Sequence, residues 1–331
     1  MSTLPHLYPK DLPVRSGRLD LGDGYDLYYE ETGRADGVPV LSVHGGPGAG
    51  LDPGARCFHD PAHYRLIQHD QRGAGASRPS GDVRRNTTPL LIEDIERLRQ
   101  HLGIERWIVS GGSWGTTLAL AYAQAHPDRC LALVLRGVFL GNREEMHWVN
   151  QGMRMLFPLE WQRCVEGLSL AEQEHLHSTM HRRVFGADRD LAVDAARRLA
   201  KFEWLCASME PDAAAIDEEL TPEFALSYSR LVCHYVMGDF FLEPDQLVRD
   251  VHKVHHLPAY IVQGRCDWVC PPWSAVRLHQ AWPGSRLALL PLTGHMASEP
   301  AIAAELLRTM EELKTRFPDD RSGSSAQRTT P

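Results

Sequence analysis

The sequence predicts an α/β fold: a mostly parallel central sheet flanked by helices, with a purely helical block inserted between two of its strands. Three observations carry this expectation. Short apolar runs bounded by small residues alternate with amphipathic helical stretches up to about residue 140, and again from about residue 251. Runs such as Cys130 to Leu135 are apolar throughout, as a parallel strand buried on both faces should be. From about Gly141 to Asp250 strand-like runs disappear, and stretches rich in Glu, Arg, Trp and Met replace them. The expected division is therefore a core of residues 1–140 and 251–318, a helical cap of residues 141–250, and a polar tail, 319–331, with the composition of disordered chain.

The chain has 331 residues, enough for one large core with an inserted subdomain. Its net charge is −8, and no Lys/Arg run gives it the electrostatic footprint of a nucleic-acid binder. The seven cysteines are odd in number and scattered, forming neither a disulfide framework nor a paired zinc pattern. Residues 1–8 lack a basic segment followed by an apolar one, and no apolar run approaches the ~20 residues that span a bilayer. A cytoplasmic protein without membrane contact is expected.

In chain order, Gly17 to Leu21 and Tyr25 to Glu31 read as a hairpin turned by Gly22-Asp-Gly24. Val38 to Val43 is a third strand, running straight into His44-Gly-Gly-Pro-Gly48. Tyr64 to His69 is a fourth, followed by Asp70-Gln-Arg-Gly-Ala-Gly-Ala-Ser77. That glycine-rich stretch is neither G-x-G-x-x-G nor a Walker loop, which disfavours a nucleotide site. Thr88 to Leu102 reads as a helix with Leu91, Ile92, Ile95, Leu98 and Leu102 on one face. Within the helical block, Arg143 to Leu156, Ser169 to Phe185 and Leu191 to Ser208 are expected helices. Tyr260 to Gln263 restores the strand pattern, Ser274 to Trp282 is a helix, Arg286 to Leu290 the last strand and Ala301 to Arg316 the closing helix.

The chemistry centres on Trp107 to Ala121. An apolar run, Trp107 to Val109, leads into Gly111-Gly-Ser113-Trp114-Gly115, and a helix rich in Ala and Leu follows. This is G-x-S-x-G in its strand-to-helix context, with Ser113 on the bend as candidate nucleophile and the Trp114 N–H at the new helix N-terminus as an oxyanion donor. The glycine loop after the third strand is placed to give the second donor, the Gly46 N–H. Asp267 in Gly264-Arg-Cys-Asp267 and His295 in Leu292-Thr-Gly-His-Met296 each follow a strand. The order Ser, Asp, His makes His295 the base for Ser113 and Asp267 the group that fixes its tautomer. His44 and Asp70 precede the serine and are not assigned to the triad.

These stretches resemble the proline iminopeptidases (prolyl aminopeptidases), serine peptidases of the α/β-hydrolase fold with a mostly parallel central sheet and an inserted helical cap. The likeness also covers Leu7-Tyr-Pro, Asp23-Gly24, Arg136-Gly-Val-Phe-Leu140 and Phe157-Pro158, and it runs to about residue 316. It implies release of N-terminal proline through an acyl-enzyme, with no metal or cofactor. It also implies that Gly45, Phe139, Trp148, Tyr235 and Glu203 face the substrate, with Glu203 holding the amino terminus. A second glutamate of the family is replaced here by Val232, an aromatic pair by Val149-Asn150, and a tyrosine by Cys266. Asp239, two helical turns past Val232, is a candidate substitute carboxylate. The partner is a peptide or a small amide or ester; oligomeric state is left open. The alternatives are a related amidase or esterase with a retuned cap pocket and, third, a non-catalytic hydrolase-fold binding protein.

Overall fold

The computed structural model describes residues 7–318; the tail 319–331, expected to be disordered, lies outside the described residues. Eight strands form one sheet: β1 (Arg15–Asp20), β2 (Asp26–Gly33), β3 (Val38–Val43), β4 (Tyr64–His69), β5 (Trp107–Ser113), β6 (Cys130–Val138), β7 (Ala259–Gly264) and β8 (Arg286–Leu290). Their order is β1-β2-β4-β3-β5-β6-β7-β8. β2 is antiparallel to β1 and β4; every other neighbouring pair is parallel. All six parallel strands therefore end at one edge, and the loops leaving that edge carry the residues of interest.

Alternation along each strand explains the continuous apolar runs. Leu41, Ile67, Val109, Leu133 and Ile261 point to one face, where they join Leu91, Ile95 and Leu98 of α1 (Thr88–His101) and Leu118 to Ala123 of α2 (Trp114–Ala125). Val40, Leu66, Ile108, Val134 and Val262 point to the other, against Ile302, Leu306, Met310 and Leu313 of the closing helix Pro300–Arg316. Both faces are covered, so both registers are apolar.

β5 and β6 are longer than the sequence pattern suggests. β5 keeps its pairing with β3 as far as Gly111 and with β6 through Gly112, residues that read as strand breakers when taken alone. β6 likewise runs on to Val138.

Between β6 and β7 the chain is helical throughout. The expected helix from Arg143 to Leu156 is interrupted by a π-turn, Trp148–Gly152, in which the Trp148 ring lies against Gly152. The stretch from Ser169 to Phe185 breaks at His175 (φ −117°, ψ 47°), the junction of Leu170–Glu174 and Leu176–Val184. Two long helices then matter for the site. α3 (Arg189–Cys206) is capped by the Asp188 carboxylate on the N–H groups of Asp190 and Leu191. α4 (Pro222–Met237) has Thr221 as N-cap and Pro222 in its first turn. That start signal stands in the sequence, though α4 was not among the expected helices. The insertion has its own apolar cluster, drawn entirely from residues between Met153 and Cys233. No helix of the described residues is long and apolar enough to cross a membrane.

One buried ion pair braces the loops. Arg72 donates through Nη2 to Asp94 Oδ1 (2.7 Å) and through Nη1 to Asp23 Oδ2 (2.6 Å), with Arg72 and Asp94 both nearly inaccessible. Asp94→Ala should lower the unfolding free energy by about 3–5 kcal/mol, the usual result of leaving a buried charge without its partner. A urea titration reads this; a loss below about 1 kcal/mol would mean that Asp23 alone satisfies the guanidinium.

Candidate active site

Ser113 occupies the bend between β5 and α2 at φ 58° and ψ −130°, a conformation that non-glycine residues rarely adopt. Its neighbours are glycine for steric reasons. A Cβ on Gly111 would sit 2.2 Å from the Gly115 carbonyl oxygen, and one on Gly115 would sit 2.3 Å from that of Val43. β5, β3 and α2 are therefore in close backbone contact around the serine.

The loop after β3 lies against this bend. A Cβ on Gly45 would be 3.2 Å from Ser113 Cβ, and Gly46 has φ 111°, which suits only glycine. Gln71 ties the pieces together. Its backbone N–H donates to His44 Nε2 (3.0 Å), its amide nitrogen to the His44 carbonyl (2.9 Å), and its amide oxygen accepts from the Trp114 indole (2.9 Å). Asp70 accepts from the N–H groups of Leu51 (2.6 Å) and Ala76 (2.7 Å). The Asp-Gln-Arg motif is thus a brace for the glycine loop and the serine turn, a role the sequence did not reveal. Trp114, whose N–H heads α2, packs by its ring against Tyr235 at 4.8 Å.

Asp267 and His295 meet. His295 Nδ1 lies 2.7 Å from Asp267 Oδ2, and Asp267 is fully buried. The same carboxylate accepts from Gln263 Nε2 (3.0 Å) and from the Cys270 N–H (2.8 Å). Gln263 also accepts from the Val138 N–H (2.9 Å), linking β7 to the end of β6. A fully buried polar residue closing the apolar run Tyr-Ile-Val was the signal for it in the sequence. The Asp267–His295 contact runs over Gly137 (φ 59°), where a Cβ would fall 2.8 Å from His295 Cε1 and 3.2 Å from Asp267 Oδ2.

Ser113 Oγ and His295 do not hydrogen-bond to each other in this structure. His295 Nε2 faces Arg136 Nη1 at 3.2 Å, so Nε2 is the acceptor and Nδ1 carries the proton. That is the tautomer a general base needs. Ser113 Oγ instead lies 3.8 Å from Cys270 Sγ. Burial, and then the charge of Asp267, push the Cys270 thiol well above its ordinary pKa, so it stands beside the serine as a neutral thiol. Asp267, Cys270 and His295 are the one grouping of metal-ligand types among the described residues. The two Asp267 oxygens and His295 Nδ1 are already committed to each other and to Gln263 and Cys270.

The helical insertion roofs this centre. On α4, Tyr228, Leu231, Val232 and Tyr235 share one face; Leu231 meets the loop at Gly48, and Tyr235 backs Trp114. Glu203 on α3 accepts from the Tyr228 hydroxyl (3.1 Å), and burial pushes its carboxyl up to about 7. No basic group pairs with it among the described residues. The Tyr228 hydroxyl is raised by burial first, then by Glu203 and by Cys270. α3 ends at Cys206, and the carbonyl of its cap Ala207 accepts from the His295 N–H (3.1 Å). Trp148 reaches the other catalytic loop, donating from its indole to the Trp268 carbonyl (2.7 Å). Phe139 sits at the end of β6, its backbone clamped by the hydroxyls of Thr116 and Thr117 and its ring against Phe240 at 5.0 Å.

Two expectations change. Tyr235 is 1 % exposed and its hydroxyl donates to Asn86 (2.8 Å), so it supports Trp114 from behind and does not face a substrate. Asp239 lies beyond the end of α4 with its side chain exposed and 3.7 Å from Arg143, too far out to replace a pocket carboxylate. Asn150 binds the Met146 carbonyl and His177 Nδ1, both within the insertion.

The family model of the alpha/beta hydrolase fold matches residues 38–301. Among solved structures, a putative aryl esterase from Burkholderia cenocepacia superposes with a TM-score of 0.65 at 19% identity, over 92% of this chain and 99% of that one. An esterase from Exiguobacterium antarcticum gives 0.61 at 21%, over 90% and 98%. At such identities these structures speak for the fold alone. Sequence relatives are much nearer. The proline iminopeptidase of Xylella fastidiosa is 45% identical over 89% of this chain and 95% of its own length. That of Arabidopsis thaliana is 41% identical over 93% and 82%, and that of Neisseria gonorrhoeae 38% over 94% and 100%. The chain belongs to the proline iminopeptidase family of alpha/beta hydrolases.

Two substitutions probe the geometry. Ser113→Gly should abolish hydrolysis and fluorophosphonate labelling while stabilising the fold by about 1 kcal/mol, because glycine relieves the bend. Labelling of another serine in that variant would remove Ser113 from the reaction. Gly137→Ala should lower kcat at least tenfold by displacing the His295 ring, with secondary structure intact by circular dichroism; full activity would mean that the ring tolerates the shift.

Proposed function

We propose that the protein is a serine aminopeptidase that releases N-terminal proline through an acyl-enzyme. The observation that carries this reading is an unpaired, largely buried carboxylate, Glu203, roofing a Ser113, Asp267 and His295 constellation at one sheet edge. Ser113 Oγ attacks the prolyl carbonyl as its proton passes to His295 Nε2, and Asp267 stabilises the imidazolium. The N–H groups of Gly46 and Trp114 take the oxyanion. The proton then goes to the leaving amine, and water, activated by His295, hydrolyses the prolyl ester. Glu203 holds the substrate's ammonium, whose charge supplies the partner this carboxylate lacks. Residues 141–250 act as the cap over the core of residues 1–140 and 251–318. The seven cysteines are all free thiols, which supports the reducing cytoplasm as the compartment.

Val232 favours one other reading. It is 4 % exposed inside the apolar cluster of the insertion, so the pocket offers a single carboxylate. A retuned amidase or esterase would share the serine chemistry and ignore the amino terminus.

The two readings separate on Pro-arylamide against N-acetyl-Pro-arylamide. The free amine should be preferred by about ten- to a hundredfold in kcat/KM, the scale of one charge-assisted hydrogen bond. Equal cleavage of both would leave the amidase or esterase. The preference should also depend on pH. With its carboxyl near 7, Glu203 is neutral below that value and ionised above it, so discrimination should grow as pH rises from about 6 to 8. In Glu203→Gln the ratio should be small and flat across the same range.

A further inference from the structure

One half-buried cation beside the catalytic groups has no task in that mechanism. Arg136 lies on β6, and its guanidinium rests against Gly112, where a Cβ would come within 2.1 Å of Nη2. Both Nη1 protons are used: one goes to the His295 carbonyl at 2.9 Å, the other toward His295 Nε2 at 3.2 Å. Among the described residues the Nε and Nη2 edge donates to no protein group, and no carboxylate lies within ion-pair range. With Nη2 free beside Nη1, the guanidinium can present a fork of parallel N–H donors, the geometry that takes a carboxylate bidentately. Burial pushes the Arg136 pKa down, with Asp267 the first charge opposing it, as expected for a cation short of a counter-charge.

The position of Arg136 indicates which carboxylate fits. In acyl transfer Nε2 returns its proton to the leaving group, which comes within about 3 Å of it. The α-carboxylate carbon of a leaving amino acid is two bonds from its nitrogen, about 2.5 Å away. Nη1 lies 3.2 Å from Nε2, so it and the neighbouring Nη2 can meet that carboxylate once the carboxylate displaces Nε2 from Nη1. In a longer peptide the terminal carboxylate sits at least one residue, about 3.5 Å, further out.

We propose that Arg136 selects leaving groups carrying a free α-carboxylate, which tunes the enzyme to dipeptides with N-terminal proline; the proline half of this statement rests on the aminopeptidase reading. One carboxylate oxygen displaces His295 Nε2 from Nη1 and the other takes Nη2, which draws the guanidinium off the imidazole. It also neutralises a positive charge that opposes formation of the imidazolium. Both effects act on the chemical step, so the preference appears in kcat as well as in KM.

The test compares Pro-Ala with Pro-Ala-amide on the wild-type protein. Pro-Ala should be favoured by about ten- to a hundredfold in kcat/KM. Arg136→Gln should bring that ratio close to one, and Arg136→Lys, a cation without the fork, should restore part of it. Equal rates on the two substrates by wild type overturn the proposal without recourse to any variant, and so does a ratio that survives Arg136→Gln. The amine reading is judged separately by the acetylated arylamide. If that reading fails and the protein cleaves esters, the same ratio is read on O-acetyl-lactate and O-acetyl-lactamide, whose leaving oxygen bears the same relation to the carboxylate.

Discussion

The backbone at Ser113 is held in a conformation it would not choose, and much of the neighbouring sequence exists to hold it. At φ 58° and ψ −130° the residue carries strain on the order of 1–3 kcal/mol, which persists only when the surroundings over-determine it. They do so by close backbone approach. Gly111 and Gly115 allow β5, β3 and the first turn of α2 to touch, and Gly45 lets the loop after β3 lie against the serine itself. Thr116 and Thr117, the next residues of α2, spend their hydroxyls on the Phe139 backbone and thereby fix the end of β6. A chain of local constraints thus reaches from one bend to the three neighbouring loops.

The electrostatics of the site are laid out around that bend with opposite charges kept apart. Asp267 is saturated with donors from Gln263, Cys270 and His295, so it can hold and polarise the imidazole without drifting. Arg136 touches the other side of the same imidazole, and Glu203 accepts from Tyr228 in the helical insertion. Neither Arg136 nor Glu203 has a protein counter-ion among the described residues. A pocket with an open carboxylate on one side and an open guanidinium on the other is matched by a zwitterion with the scissile bond between its charges. A bare amide or ester would leave both groups unpaired, at a cost in desolvation that nothing returns.

Recognition and catalysis are also joined mechanically. Glu203 lies one turn before Ala207, whose carbonyl holds the His295 N–H. The helix that carries Glu203 therefore also helps to set the position of His295. Trp148 makes a second such link, from the π-turn of the insertion to the backbone beside Asp267.

The sequence by itself determined the order of strands and helices, the serine turn, and the placement of Asp267 and His295 after successive strands. All of these are local: glycines that permit a bend, apolar runs that demand burial on both faces, and loops that must emerge at one edge of a parallel sheet. It carried less about length, since β5 runs through Gly111 and Gly112 only because neighbouring strands supply the pairing. Partnership between side chains was decided by tertiary structure alone. Gln71 reads as an ordinary loop residue until His44 and Trp114 arrive from 27 and 43 positions away. Tyr235 becomes a buried support because Asn86 is there to take its hydroxyl, and Asp239 is lost to the surface because α4 ends before it. Arg136 gives no sign in the sequence of being unpaired. Whether a buried charge has a partner depends on every group that packs around it, and that is settled only when distant segments come together.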